Sequence, residues 1–160
     1  MSVQLDGYIS PLFRDQTTKR FPRTVCVLGS TGSIGGNALD VLARNAEPFR
    51  VAALAGGKNV EKLAAQAEIF RPRYLGVLDD DARQRLIPLL PEQYFPEIVT
   101  GAAGYEFLAG LPECDIVLSA QVGAAGLRGT LAAAKAGKII ALANKESLVL
   151  AGPLIRAICM

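Results

Sequence analysis

Thr24-Val25-Cys26-Val27-Leu28-Gly29-Ser30-Thr31-Gly32-Ser33-Ile34-Gly35-Gly36-Asn37-Ala38-Leu39-Asp40 opens on a short apolar run and passes straight into glycines at spacing three, Gly29, Gly32 and Gly35. Ile34, Ala38, Val41 and Leu42 then recur at helical intervals. Strand, glycine turn and helix in this order predict the first unit of a dinucleotide-binding domain. Each glycine has its own expected duty. Gly29 allows the tight turn, Gly32 lets backbone approach a pyrophosphate, and Gly35 lets the helix lie close on the sheet. Free N–H groups and the positive dipole end at the helix start would then hold the phosphates. The spacing is G-x-x-G-x-x-G rather than the commoner G-x-G-x-x-G, so the generic fingerprint applies only in modified form.

Outward from this unit the alternation continues. Phe49 to Ala55 reads as a buried parallel strand, broken by Gly56-Gly57-Lys58-Asn59. Asn59 can cap a helix whose apolar face is Val60, Leu63, Ala64, Ala67 and Phe70. Pro72 ends that helix, and Tyr74 to Leu78 is the third strand. Asp79-Asp80-Asp81 starts a helix toward Leu90, with Pro88 limiting its length. Glu97 to Thr100 is a brief strand and Tyr105 to Ala109 a short helix. Asp115 to Ser119, Gly123 to Ala136 and Lys138 to Leu142 follow as strand, helix and strand, with Gly137 at the helix end. A last helix begins near Lys145, and Gly152-Pro153 should break it. The pattern predicts an α/β fold: a Rossmann-like, doubly wound, mostly parallel sheet with helices on both faces. We assign residues 24–160 to this domain and 1–23 to a loosely ordered extension.

The bulk numbers exclude other classes. A chain of 160 residues suits one ordinary domain. A net charge of +2 offers no bulk attraction to nucleic acid or a membrane surface, and no apolar run is long enough to cross a bilayer. Residues 1–23 lack the apolar core of a signal peptide, and their acids and few serines argue against a transit peptide. Cys26, Cys114 and Cys159 are widely spaced, and histidine is absent altogether. That excludes a Ser-His-Asp triad or an imidazole zinc site within the chain and fits a reduced, cytoplasmic protein.

Ligands of such sheets bind outside the carboxyl ends of the strands, which selects segments 29–35, 55–59 and 143–147. The second bears on the cofactor. NAD sites usually place an acid after strand two, but here Ala55-Gly56-Gly57-Lys58-Asn59 supplies none before Glu61. A lysine and an amide would hold a 2′-phosphate that a carboxylate would repel, so NADP is expected over NAD. In Ala143-Asn144-Lys145-Glu146-Ser147, Asn144 can cap and Glu146 can complement a helix start. Lys145 is left over, and it suits an anionic substrate or cofactor group. Gly123-Ala124-Ala125-Gly126 fits close packing with an edge toward the cofactor.

Four motifs in order, Gly29-Ser30-Thr31-Gly32-Ser33-Ile34-Gly35, Gly57-Lys58-Asn59-Val60, Val122-Gly123-Ala124-Ala125-Gly126-Leu127 and Ala143-Asn144-Lys145-Glu146-Ser147-Leu148, resemble the 1-deoxy-D-xylulose 5-phosphate reductoisomerase family over roughly residues 24–155. Ser119-Ala120-Gln121 departs from the family's more usual Ala-Ala-Ile. The resemblance implies NADPH-dependent rearrangement and reduction of 1-deoxy-D-xylulose 5-phosphate to 2-C-methyl-D-erythritol 4-phosphate, in non-mevalonate isoprenoid biosynthesis. It implies that Thr31, Gly32, Ser33, Ile34, Gly57, Lys58, Asn59, Asn144 and Glu146 contact NADPH and that Lys145 contacts substrate. The family's Mg²⁺ or Mn²⁺ is held by an Asp-x-Glu pair and a further Glu beyond the last motif. No catalytic or metal residue is therefore assigned here, the 160-residue chain alone is expected to be inactive, and the full-length enzyme is expected to be a homodimer. Two other readings stand beside it: an NADP-binding module without turnover, and a reductase of semialdehyde dehydrogenase type.

Overall fold

A computed structural model of the chain describes residues 21–159. Residues 1–20 of the assigned extension lie outside the described residues, and the first strand begins at Arg23, one position before the assigned boundary. The strands are β1 Arg23–Leu28, β2 Phe49–Ala55, β3 Tyr74–Val77, β4 Glu97–Thr100, β5 Ile116–Ser119 and β6 Ile139–Leu142. They form one sheet in the order β4-β3-β2-β1-β5-β6, and every neighbouring pair is parallel. The helices are α1 Ser33–Arg44, α2 Val60–Phe70, α3 Asp80–Leu86, α4 Gly101–Gly110, α5 Ala125–Lys135 and α6 Lys145–Cys159.

Strand alternation divides the core into two layers. Val25 and Val27 of β1 pack with Leu39, Leu54, Leu63, Leu75 and Leu86, on the side covered by α1, α2 and α3. Cys26 and Leu28 face the other way, toward Ala53, Ala55, Tyr105, Leu108 and Ala133, under α4 and α5. Both β1 faces are fully covered, which is why the strand reads as an unbroken apolar run. The chain reverses across the sheet between β1 and β5. That junction is the topological switch point where such sheets bind ligands.

Several local expectations need correction. In α1 the buried residues are Gly35 and Leu39, while Ile34 (49% exposed) and Val41 (59%) face outward. The inward stripe runs through 35, 38, 39 and 42, because Gly35 must lie against the turn and so sets the helix rotation. α4 begins at Gly101, four residues before Tyr105, since Gly104 packs its bare Cα on Val99. α3 ends at Leu86 and tightens into a 3₁₀ turn, Ile87–Leu89, around Pro88. The caps follow expectation: the Asn59 side chain accepts from Lys62 N–H, Asp79 from Ala82 N–H, and Gly137 has φ +66°. α6 kinks at Ala151 (φ −143°, ψ 25°), just before Gly152-Pro153.

Candidate functional site

The turn after β1 is built from close backbone contacts. Gly29 has φ +88°, and a Cβ on it would stand 2.6 Å from the Ala120 carbonyl at the end of β5. A Cβ on Gly35 would overlap the Gly29 carbonyl and stand 2.7 Å from Ser30 Cα. Gly35 therefore lets the helix close on the turn itself rather than on the sheet. Gly32 differs: its φ is −73°, it is exposed, and a Cβ there would meet only Gly29 O, at 3.3 Å. Its bare Cα leaves room on the outer side of the turn. No side chain caps α1, whereas α2 and α3 are capped by Asn59 and Asp79. The first N–H groups of α1 thus have no capping side chain, as an anion site requires.

The three segments selected from the sequence form one continuous rim. Thr31 places its methyl against Gly56 at the end of β2, where a Cβ would stand 2.9 Å from Thr31 Cγ2. Gly57, Lys58 and Asn59 follow, all exposed. On the other side, Gly29 abuts Ala120 and Gln121 after β5. Asn144, after β6, donates from Nδ2 to the Gln121 carbonyl and, at 2.9 Å, to the Gly123 carbonyl. Its Oδ1 accepts from Ser147 N–H at 3.0 Å and so caps α6. The rim crosses β2, β1, β5 and β6 in sheet order, with the ends of β2 and β6 about 14 Å apart at ordinary strand spacing. Ser33 and Ile34 are exposed on it beside Gly32, Lys145 is exposed, and Glu146 is half-buried in the first turn of α6.

Asn144 is 2% exposed, and its carboxamide is committed to these internal bonds. Its side chain acts as a staple between two loops. Gly126 serves the same staple, since a Cβ there would collide with the Asn144 carboxamide. Gln121, the departure noted above, has a buried Oε1 without a hydrogen-bond partner.

Two residues of the site escaped sequence reasoning. Gln66 of α2 donates from Nε2 to the Ser30 carbonyl at 2.8 Å, and Tyr105 of α4 donates from Oη to the Gly56 carbonyl at 2.8 Å. A polar residue inside the apolar run of α2 was the available signal for Gln66. Tyr105 offered none.

Two of the three cysteines are ill suited to nucleophilic work. Cys26 and Cys114 are buried; burial drives the Cys26 thiol well above its usual range and, with Glu113 nearby, the Cys114 thiol up to about 12. This removes the support for a cysteine-dependent dehydrogenase from those two positions. Among the described residues no three His, Cys, Asp or Glu side chains gather to hold a metal ion, and Asp79 serves as a helix cap. No helix of the described residues is long and apolar enough to cross a membrane.

Comparison with known proteins gives concordant matches. The family described as 1-deoxy-D-xylulose 5-phosphate reductoisomerase matches residues 25–152. The reductoisomerase of that name from Oleidesulfovibrio alaskensis is 61% identical over 155 residues, covering 97% of this chain and 38% of the relative. The solved structure of the Zymomonas mobilis enzyme in complex with NADPH superposes with a TM-score of 0.79 at 41% identity, over 84% of this chain and 35% of that one. A crystal structure of DOX-P reductoisomerase in complex with magnesium gives a TM-score of 0.80 at 38% identity, over 86% of this chain and 34% of that one. The chain thus spans 38% of the length of the Oleidesulfovibrio relative it matches.

Proposed function

The chain belongs to the 1-deoxy-D-xylulose 5-phosphate reductoisomerase family, and from that premise we propose that it is the NADPH-binding part of such an enzyme. The observation that carries the reading is the rim itself, which places an uncapped helix start beside an acid-free loop bearing Lys58. In this reading Thr31, Gly32, Ser33 and Ile34 hold the pyrophosphate, with Gly32 leaving room for it. Gly57, Lys58 and Asn59 take the 2′-phosphate, where the Lys58 ammonium forms a charge-assisted contact. Asn144 and Glu146 shape the far end of the cradle, Asn144 through the loop that it staples. Lys145, at the β6 end of the rim, faces the phosphorylated substrate. When bound, NADPH supplies the hydride; the chain's own residues hold the dinucleotide extended along the rim.

The reaction we assign to the complete enzyme is rearrangement of 1-deoxy-D-xylulose 5-phosphate followed by reduction to 2-C-methyl-D-erythritol 4-phosphate. Cytoplasmic residence and a homodimeric whole enzyme belong to the same proposal, as does residues 24–160 forming the cofactor domain. The test is titration of the purified 160-residue chain with NADPH and NADH, followed by nicotinamide fluorescence. Saturable binding with NADPH the tighter ligand is expected. A folded chain that binds neither, or prefers NADH, contradicts the reading.

A further inference from the structure

Tyr105 lies outside the cofactor residues assigned above, yet its phenol reaches their frame. α4 lies over β3, and at Gly76 that strand carries no side chain. A Cβ there would stand 2.8 Å from Leu108 Cδ1 and 3.2 Å from Tyr105 Cε1. The missing side chain lets the Tyr105 ring cross β3 and donate to the Gly56 carbonyl at 2.8 Å. Gly56 is fixed on its other sides too. Its N–H donates to the Gly76 carbonyl at 2.9 Å, and Thr31 Cγ2 closes on its Cα. Gly57, next along, has nothing within 4 Å of the place a Cβ would occupy, and Lys58 is exposed. Gly56 is therefore the last clamped point before Lys58, two residues and at most about 7 Å of chain away.

We propose that Tyr105 is a specificity-positioning residue. By holding the Gly56 carbonyl it fixes the direction in which the Gly57-Lys58-Asn59 loop leaves β2, and so sets the preference for a dinucleotide bearing a 2′-phosphate. The proposal rests on the reading of that loop as the 2′-phosphate site. Register explains why a side chain is needed. The β2–β3 ladder ends at Ala55 opposite Gly76, so the buried Gly56 carbonyl lies beyond strand pairing and takes its partner from a helix. Burial, with Asp79 nearby, pushes the phenol up to about 12, which keeps it a donor at any ordinary working pH.

Tyr105→Phe keeps the ring over Gly76 and removes only the donor. In the full 160-residue chain the variant is expected to raise the Kd for NADPH about three- to tenfold and that for NADH less than about twofold. Lys58→Ala should lower the NADPH-to-NADH preference further. The double variant should lose less NADPH affinity than the two single losses combined, since Tyr105 acts through the loop that carries Lys58. A Tyr105→Phe chain that melts earlier with its cofactor preference intact overturns the proposal, as do additive losses in the double variant. If Lys58→Ala itself leaves the preference unchanged, the cofactor reading of the loop fails and the proposal fails with it.

Discussion

Gln66 and Ser30 lie 36 positions apart, and the Gln66 carboxamide donates to the Ser30 carbonyl at 2.8 Å with both residues buried. Helix α2 thereby holds the turn that begins α1, so the segment proposed above for the pyrophosphate is tied to a helix it does not adjoin in sequence. Gln66→Met keeps the volume and leaves the Ser30 carbonyl without that partner. It should cost about 1–3 kcal/mol of stability in a denaturant titration. NADPH and NADH should lose affinity by equal factors, because the turn serves the part they share. A loss confined to NADPH would contradict this assignment.

The glycines of the turn separate binding from folding. Gly32→Val meets only the Gly29 carbonyl oxygen, at 3.3 Å and at an ordinary φ of −73°, so melting should fall modestly while dinucleotide binding is lost. Gly35→Ala drives a methyl into the Gly29 carbonyl and Ser30 Cα, so the fold itself should fail or melt far earlier. Circular dichroism melts read against fluorescence titrations distinguish the two. Near-normal NADPH affinity in Gly32→Val would remove this loop from the cofactor site.

Asn144→Ala uncaps α6 and releases the Gln121 and Gly123 carbonyls. We expect a stability loss of about 2 kcal/mol and faster amide exchange around residues 121–123. A variant of unchanged stability that nonetheless loses NADPH would make Asn144 a direct ligand contact instead of a staple.

Stability should be flat across neutral pH and fall in alkali. The chain has no histidine, so no side chain at its ordinary pKa titrates between about pH 6 and 8. Burial raises Cys114, Tyr94 and Tyr105 to about 12 and Cys26 also upward, from ordinary values of 9.0 for the thiols and 10.0 for the phenols. The unfolded chain then releases these protons first, so folding stability declines as pH rises from about 9 toward 12. Melting temperatures measured from pH 6 to 11 should show a plateau and then a fall. A steep change between pH 6 and 8 would contradict this assignment of the titrating groups.

Much of this architecture is legible in the sequence, where local chemistry and tertiary packing ask for the same thing. The limits of β2 and β4, the Asn59 and Asp79 caps and the break before Pro153 all follow from nearby residues. What eluded the sequence is set by distant contacts. The rotation of α1 depends on Gly35 meeting Gly29, so Ile34 and Val41 turn outward despite their helical spacing. The start of α4 is disguised by Gly101 and Gly104, poor helix formers whose places are explained by a turn and by Val99. Gln66 and Tyr105 do their work on carbonyls 36 and 49 positions away, which no periodicity records.

The proposed role of the acid-free loop after β2 is to read a 2′-phosphate through Lys58. The most direct measurement is a pair of dissociation constants, NADPH and NADH, for the wild-type chain and Lys58→Ala. Lys58→Ala should cost about 1.5–3 kcal/mol in NADPH binding and almost nothing in NADH binding. Equal losses for the two cofactors, or no loss for either, would contradict it.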